Sequence, residues 1–154
     1  MTIKERLTSA SAARRWEDKI PLHYEYTAGV AGERFLRGLI EGKILGGRCE
    51  SCKVTHLPPK MYCTDCFREI TSYEDVGLKG RVAALSEAYI DFLGERVQNP
   101  YLVGFVNFPN TKGGIIQRIT GNKPKIGSSV HARFKPRASR TGAITDIVSF
   151  VVEK

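Results

Sequence analysis

The sequence predicts a mainly β protein: helices at the N-terminus, a small metal-centred ribbon after them, and a five-stranded closed barrel at the C-terminal end. Three observations lead there. All four cysteines lie between Cys49 and Cys66, as two Cys-x-x-Cys pairs separated by ten residues. From Val76 onward the chain alternates short β-rich runs with turn signals. Ahead of the cysteines, an i, i+4 apolar stripe marks a helix. The corresponding segments are 1–44 (helical), 45–75 (ribbon) and 76–154 (barrel).

The N-terminal segment reads as two helices with a break. In "LTSASAARRWEDK" Thr8 or Ser9 serves as N-cap and helix formers surround Trp16. Pro21 ends this helix, and "PLHYEYTAG" is extended or irregular. A second helix is predicted over Val30–Glu41, with Ala31, Phe35 and Leu39 on one stripe, Leu36 and Ile40 beside it, and Gly42 as the stop. That stripe packs on the remainder of the chain or docks a protein partner.

The cysteine stretch, "CESCKVTHLPPKMYCTDC", calls for chemistry. Paired cysteines in a reducing compartment are metal ligands or reactive thiols more often than disulfides. Two pairs with a short spacer fit one tetrahedral zinc ion, with Cys49, Cys52, Cys63 and Cys66 as ligands. The alternatives at the same residues are iron, which accepts four thiolates at this spacing, and a pair of disulfides. Four thiolates fill the coordination shell, so the site is structural, since a catalytic zinc keeps a position open for water. His56, between the pairs, is expected to be solvated or packed rather than a ligand. Pro58 and Pro59 enforce an extended path, and few apolar residues are available, so the metal supplies much of the ribbon's stability. Glycine often follows the second cysteine of such a knuckle, where a positive φ is easy; here Lys53 and Phe67 stand there.

The predicted strands are Gly80–Ile90, Tyr101–Phe108, Gly114–Thr120, Ser129–Lys135 and Ile144–Glu153. Between them come Asn99-Pro100, Pro109-Asn110, Gly113-Gly114, Gly121-Asn122, Gly127 and Thr141-Gly142, all turn formers. Interior glycine and irregular alternation suit the bends of a small closed barrel. Five strands without a strong helix fit a Greek-key barrel of the OB type.

The chain has 154 residues, 42% hydrophobic and 26% charged, as in soluble globular proteins. No apolar run reaches the roughly 18 residues of a membrane helix, and the N-terminus lacks a secretory h-region; a cytoplasmic location is expected, with no membrane partner. The 24 basic against 16 acidic residues give a formal charge of +8, about +6 once a zinc tetrathiolate is counted. A positive balance favours nucleic acid, an acidic protein surface or a phosphate-bearing cofactor, unless the surface is merely basic.

In order, "FLRGLIEGK", "GGRCESCKVTHLPPKMYCTDC", "LKGRVAALSEAYI" and the strand-rich tail resemble the archaeal and bacterial family of zinc-ribbon (rubredoxin-like) plus OB-fold proteins associated with acyl-CoA metabolism. The resemblance runs from about residue 33 to the end. It implies an accessory protein, not an enzyme: a structural Zn2+ on Cys49, Cys52, Cys63 and Cys66, a barrel that binds an acyl-CoA (CoA thioester), and a thiolase-like or hydroxymethylglutaryl-CoA synthase-like partner. The family offers no catalytic residue to carry over.

A CoA site needs cations for phosphates and an apolar or backbone-lined groove for the pantetheine arm. Arg118, Lys123, Lys125 and Arg133 are the candidates, the lysines lying on the "GNKPKIG" turn, and Lys135, Arg137 and Arg140 follow. The rival is single-stranded nucleic acid, which needs cations interleaved with aromatic platforms. Tyr101, Phe105 and Phe108 do not all share one strand face; Phe134, between Arg133 and Lys135, is either a stacking residue or a core residue with solvated neighbours. Catalysis has little support. His23, His56 and His131 are far apart, and neither Gly-x-Ser-x-Gly nor His-Glu-x-x-His occurs.

Overall fold

In the computed structural model, the described residues are 26–91 and 95–153. The predicted first helix, its caps, Pro21 and His23 lie outside them. The second helix, α1, spans Gly29–Glu41. Nine strands follow: β1 Leu45–Cys49, β2 Val54–Leu57, β3 Ser72–Asp75, β4 Lys79–Ile90, β5 Arg96–Asn107, β6 Thr111–Gly113, β7 Ile115–Thr120, β8 Ser129–Phe134 and β9 Ile147–Val152. Among the described residues no helix is long and apolar enough to cross a membrane.

Strands β4, β5, β7, β9 and β8 close into a barrel in that order. All pairs are antiparallel except β7–β9, which is parallel. This is the OB arrangement expected from the sequence. Inward positions alternate as strand geometry demands: Val82, Val106, Ile115, Ile119, Val130, Ala132, Ile147 and Phe150 are buried together. Register shifts at Val82/Ala84 and Ala88/Ile90 bend the long β4 around the barrel. Gly104 allows close approach, for a Cβ there would stand 2.7 Å from Ile119 Cγ1. The last predicted strand starts three residues late, because Ile144–Asp146 form a single 3-10 turn before β9.

The ribbon is a separate sheet, ordered β3-β1-β2-β6. Its fourth strand does not come from the cysteine segment. Residues 111–113, where the sequence signals a turn, leave the barrel between β5 and β7 and pair in parallel with β2: Thr55 with Thr111, His56 with Lys112, Leu57 with Gly113. Gly113 has φ +104°, and a Cβ there would lie 2.0 Å from the Leu57 carbonyl oxygen. Only glycine fits this crossing. The neighbouring Gly114 N–H donates to the same oxygen at 2.9 Å.

Helix α1 turns its stripe inward. Ala31, Phe35 and Leu39 are buried, and Phe35 and Leu39 join the barrel's own core, with Leu36 packed against it. The stripe is therefore satisfied within the chain and is not free to dock a partner. Gly42 ends the helix at φ 78°, as expected. Gly38 lets the helix lie on β1, since a Cβ there would meet Leu45 Cγ at 2.8 Å.

The segment between β8 and β9 holds the end of the helix. Arg140 Nη1 donates to the Ile40 carbonyl at 3.2 Å, and its Nε to the Lys135 carbonyl at 2.8 Å. The anchor of this segment is Asp146, whose Oδ2 accepts the N–H groups of Thr141 (3.0 Å), Gly142 (2.8 Å) and Ala143 (3.2 Å). Lys135 Nζ stands 3.5 Å from Oδ1. Asp146 is fully buried. Burial alone would raise its pKa, but the three N–H groups and Lys135 stabilise the carboxylate more, so the pKa lies below the ordinary value. A depressed carboxylate contributes stability that is present above its unfolded pKa, about 3.9, and is lost as pH falls through the lower folded value. Asp146→Asn should cost about 2 kcal/mol at pH 7 in urea unfolding, because charge-assisted bonds are lost. The gap from wild type should narrow below about pH 4; an equal gap at pH 7 and pH 3 would show that the charge is not what holds this segment.

Candidate metal centre

The metal centre is built from two matching turns. Cys49 closes β1 and Cys52 sits in the tight turn before β2. In each turn the residue after the second cysteine donates back to the carbonyl of the first: Lys53 N–H to Cys49 O at 2.8 Å, Phe67 N–H to Cys63 O at 3.0 Å. The first sulfur of each pair also accepts a backbone N–H, from Cys52 to Cys49 Sγ and from Asp65 to Cys63 Sγ, both at 3.4 Å. These bonds require a left-handed residue at the turn exit. Lys53 (φ 57°) and Phe67 (φ 58°) adopt it although neither is glycine. That conformation costs an L-residue roughly 1–2 kcal/mol, so knuckle geometry is kept here at a local energetic cost.

The four sulfurs converge, all lying within 4.8 Å of one another. Cys49 Sγ is 3.6 Å from Cys66 Sγ, and Cys63 Sγ is 3.9 Å from Cys52 Sγ. Thiolates at about 2.3 Å around a tetrahedral ion stand about 3.8 Å apart, so the cage fits zinc as it is. All four cysteines are free, which removes the disulfide alternative. The centre has little apolar support: among the described residues, only Ile70 joins the buried Cys49 and Cys63, with Cys52 and Cys66 packed at the side.

Electrostatics within the cage are asymmetric. The Cys52 N–H bond is the main reason the Cys49 thiol is held at about 7. The Asp65 N–H likewise lowers Cys63. Cys52 is pushed up to about 12, chiefly by its hydrogen bond to Cys66 and by burial. The first cysteine of each pair is thus the one prepared for negative charge by backbone donors.

His56 is packed and not solvated, one of the two outcomes the sequence left open. It is 1% exposed, on β2, with Nε2 3.4 Å from Cys63 Sγ. Asp65, whose N–H reaches Cys63, is ion-paired through its carboxylate with Lys112 of β6, and that interaction holds its pKa low. Neither contact was legible in the sequence: the first depends on how β2 meets the second knuckle, and the second on β6 reaching it from the barrel.

The expected ligand-binding cations do not form one cluster. Arg118, on β7, stacks its guanidinium 4.1 Å from the Tyr101 ring centroid. Both line an open cavity of about 410 Å³ on the outer face of β5, β7 and β9, together with Val103, Ile116, Lys135 and Val148. Lys123, Lys125 and Arg133 are exposed but do not line it. Lys123 has φ 47°, and the Lys125 N–H donates to Ser128 Oγ at 3.2 Å, so the two lysines stand on an ordered turn. Phe134 packs against the core under Arg140, 5.1 Å from its ring centroid, and is therefore a core residue and not a stacking platform. Lys135 is the cation that the sequence did not single out for this cavity.

Fold and site together define a zinc-ribbon and OB-barrel protein with a structural zinc. Residues 38–71 match the ChsH2 rubredoxin-like zinc ribbon domain. The chain as a whole is similar to a protein of unknown function from the DUF35 family of Sulfolobus solfataricus, at 27% identity and a TM-score of 0.66, over 84% of this chain and 90% of that one. It also shares its fold with a structure described as an Ltp2-ChsH2(DUF35) aldolase, at 16% identity and a TM-score of 0.59, over 77% of this chain and 91% of that one. No curated protein sequence matches the chain.

Because the sulfurs replace an apolar core, loss of one ligand should undo the ribbon. Cys49→Ser or Cys66→Ser should reduce bound zinc well below one per chain by elemental analysis, with increased protease sensitivity around residues 45–75. Unchanged zinc content in both variants would exclude these two cysteines as ligands.

Proposed function

We propose that this chain is a non-catalytic accessory protein that works beside a thiolase-like or hydroxymethylglutaryl-CoA synthase-like enzyme and binds a CoA thioester through its barrel. The observation that carries this reading is the likeness, over most of both chains, to the Ltp2-ChsH2(DUF35) aldolase, whose description joins a DUF35 chain to an enzyme. Site chemistry supports it. Four sulfurs around one ion leave no open position for water or substrate, so the zinc holds structure and takes no part in a reaction.

On the barrel, the outer face of β5, β7 and β9 has the composition a CoA thioester needs. Tyr101, Val103, Ile116 and Val148 offer apolar contact for the neutral pantetheine arm, while Arg118 and Lys135 offer charge for phosphate. Lys123, Lys125 and Arg133, exposed outside the cavity, are the further cations this reading assigns to the phosphates. A second reading draws on the same stack: an arginine over a tyrosine ring on an OB face also suits a base of single-stranded nucleic acid.

Calorimetry with CoA and acetyl-CoA, with and without the enzyme recovered in a nuclease-treated affinity purification, tests the proposal. Arg118→Ala should weaken binding about tenfold, the loss of one charge-assisted bond, and the double variant Lys123→Glu, Lys125→Glu, which reverses two charges, by more than that. Unaltered affinity would remove those residues from the site. Binding of a single-stranded oligonucleotide that excess CoA does not displace, with no CoA binding under either condition, would replace this reading by the nucleic-acid one.

A further inference from the structure

We propose that His56 is a positioning residue of the metal centre: its Nε2–H donates to the Cys63 thiolate and strengthens the hold of the cage on its metal. The histidine is not a ligand, since four sulfurs already complete the tetrahedron. It is also not a solvated side chain, at 1% exposed.

Chemistry assigns the proton. A metal-bound thiolate can only accept, so the nitrogen 3.4 Å from Cys63 Sγ must be the donor. With a hydrogen on Nε2 and none on Nδ1, the ring leaves Nδ1 as a bare acceptor. Nδ1 is buried with no hydrogen-bond partner among the described residues. A fully buried imidazole with one nitrogen unpartnered is costly as mere filling. It is understandable when the other nitrogen neutralises part of a cage whose formal charge is −2. With the Asp65 N–H, His56 gives Cys63 two donors from different parts of the chain.

The fold fixes where that ring stands. His56 is the middle residue of the β2–β6 pairing, opposite Lys112. It is flanked by Thr55, which donates to Glu74 of β3, and by Leu57, which is in the core. Lys112 in turn pairs with Asp65. The strand carrying the histidine and the turn carrying the sulfur are thus both held by the strand that the barrel contributes. Such outer-shell donors orient ligands and tune the ion they surround.

The test uses the full chain. His56→Phe keeps the buried volume and removes the donor; His56→Gln restores an N–H. Zinc affinity, by competition with a chromophoric chelator, should fall about tenfold in His56→Phe, the lower end of the usual outer-shell effect, and recover in part in His56→Gln. In the cobalt(II)-substituted protein, the thiolate-to-metal charge-transfer band should move to lower energy in His56→Phe and back in His56→Gln, a change that altered packing alone would not give. Nitrogen-15 NMR of zinc-loaded wild type should find the His56 proton on Nε2, and this result does not depend on any variant folding. A His56→Phe protein with wild-type affinity and an unmoved band would overturn the proposal. So would a zinc-loaded wild type whose Nε2 carries no proton.

Discussion

Four sulfur atoms converging on one point are what the N-terminal half of this molecule depends on. Ile70 is the sole aliphatic residue buried with them among the described residues. A sheet of four short strands with so little apolar area does not hold by hydrophobic burial alone. The metal closes the two knuckles against each other. It also offsets the cost of holding Lys53 and Phe67 in left-handed backbone.

The barrel is stabilised differently. Alternating Val, Ile and Phe side chains fill its interior, and α1 contributes Phe35 and Leu39 to the same core. Two devices join the barrel to the rest of the chain, one to the ribbon and one to α1. β6 leaves the barrel to complete the ribbon sheet, crossing where only Gly113 fits. The segment pinned by buried Asp146 carries Arg140 to the last turn of α1. A helix with an apolar stripe is often a docking element, but here both the stripe and the helix end are occupied within the chain. Exposed apolar side chains remain on the knuckles and elsewhere, Phe67, Tyr62 and Val30 among them.

That barrel face combines an arginine–tyrosine stack with apolar floor and a second cation, while the structural zinc lies in the other sheet. Metal centre and barrel cations thus sit in different sheets. Part of the basic charge is met within the chain: Lys79 is paired with Glu153 and Lys112 with Asp65.

The cysteine spacing alone announced the metal, because two Cys-x-x-Cys turns are a local geometry that few other chemistries need. β-rich runs set apart by turn formers announced the five barrel strands, since β-branched and aromatic residues fit a pleated surface and Gly, Pro and Asn fit the turns between. The helix and its Gly42 stop were equally local. What tertiary structure decided was every contact between distant segments. Residues 111–113 carry turn formers and look like a loop; pairing with β2 makes them a strand. His56 reads as a histidine either solvated or packed until β2 and the second knuckle bring it to Cys63. Asp146 reads as a polar residue of the last predicted strand until three backbone N–H groups fold around it. Arg118 met Lys135 and not the lysines of the neighbouring turn, because strand order, which sequence periodicity does not encode, determines which side chains share a face.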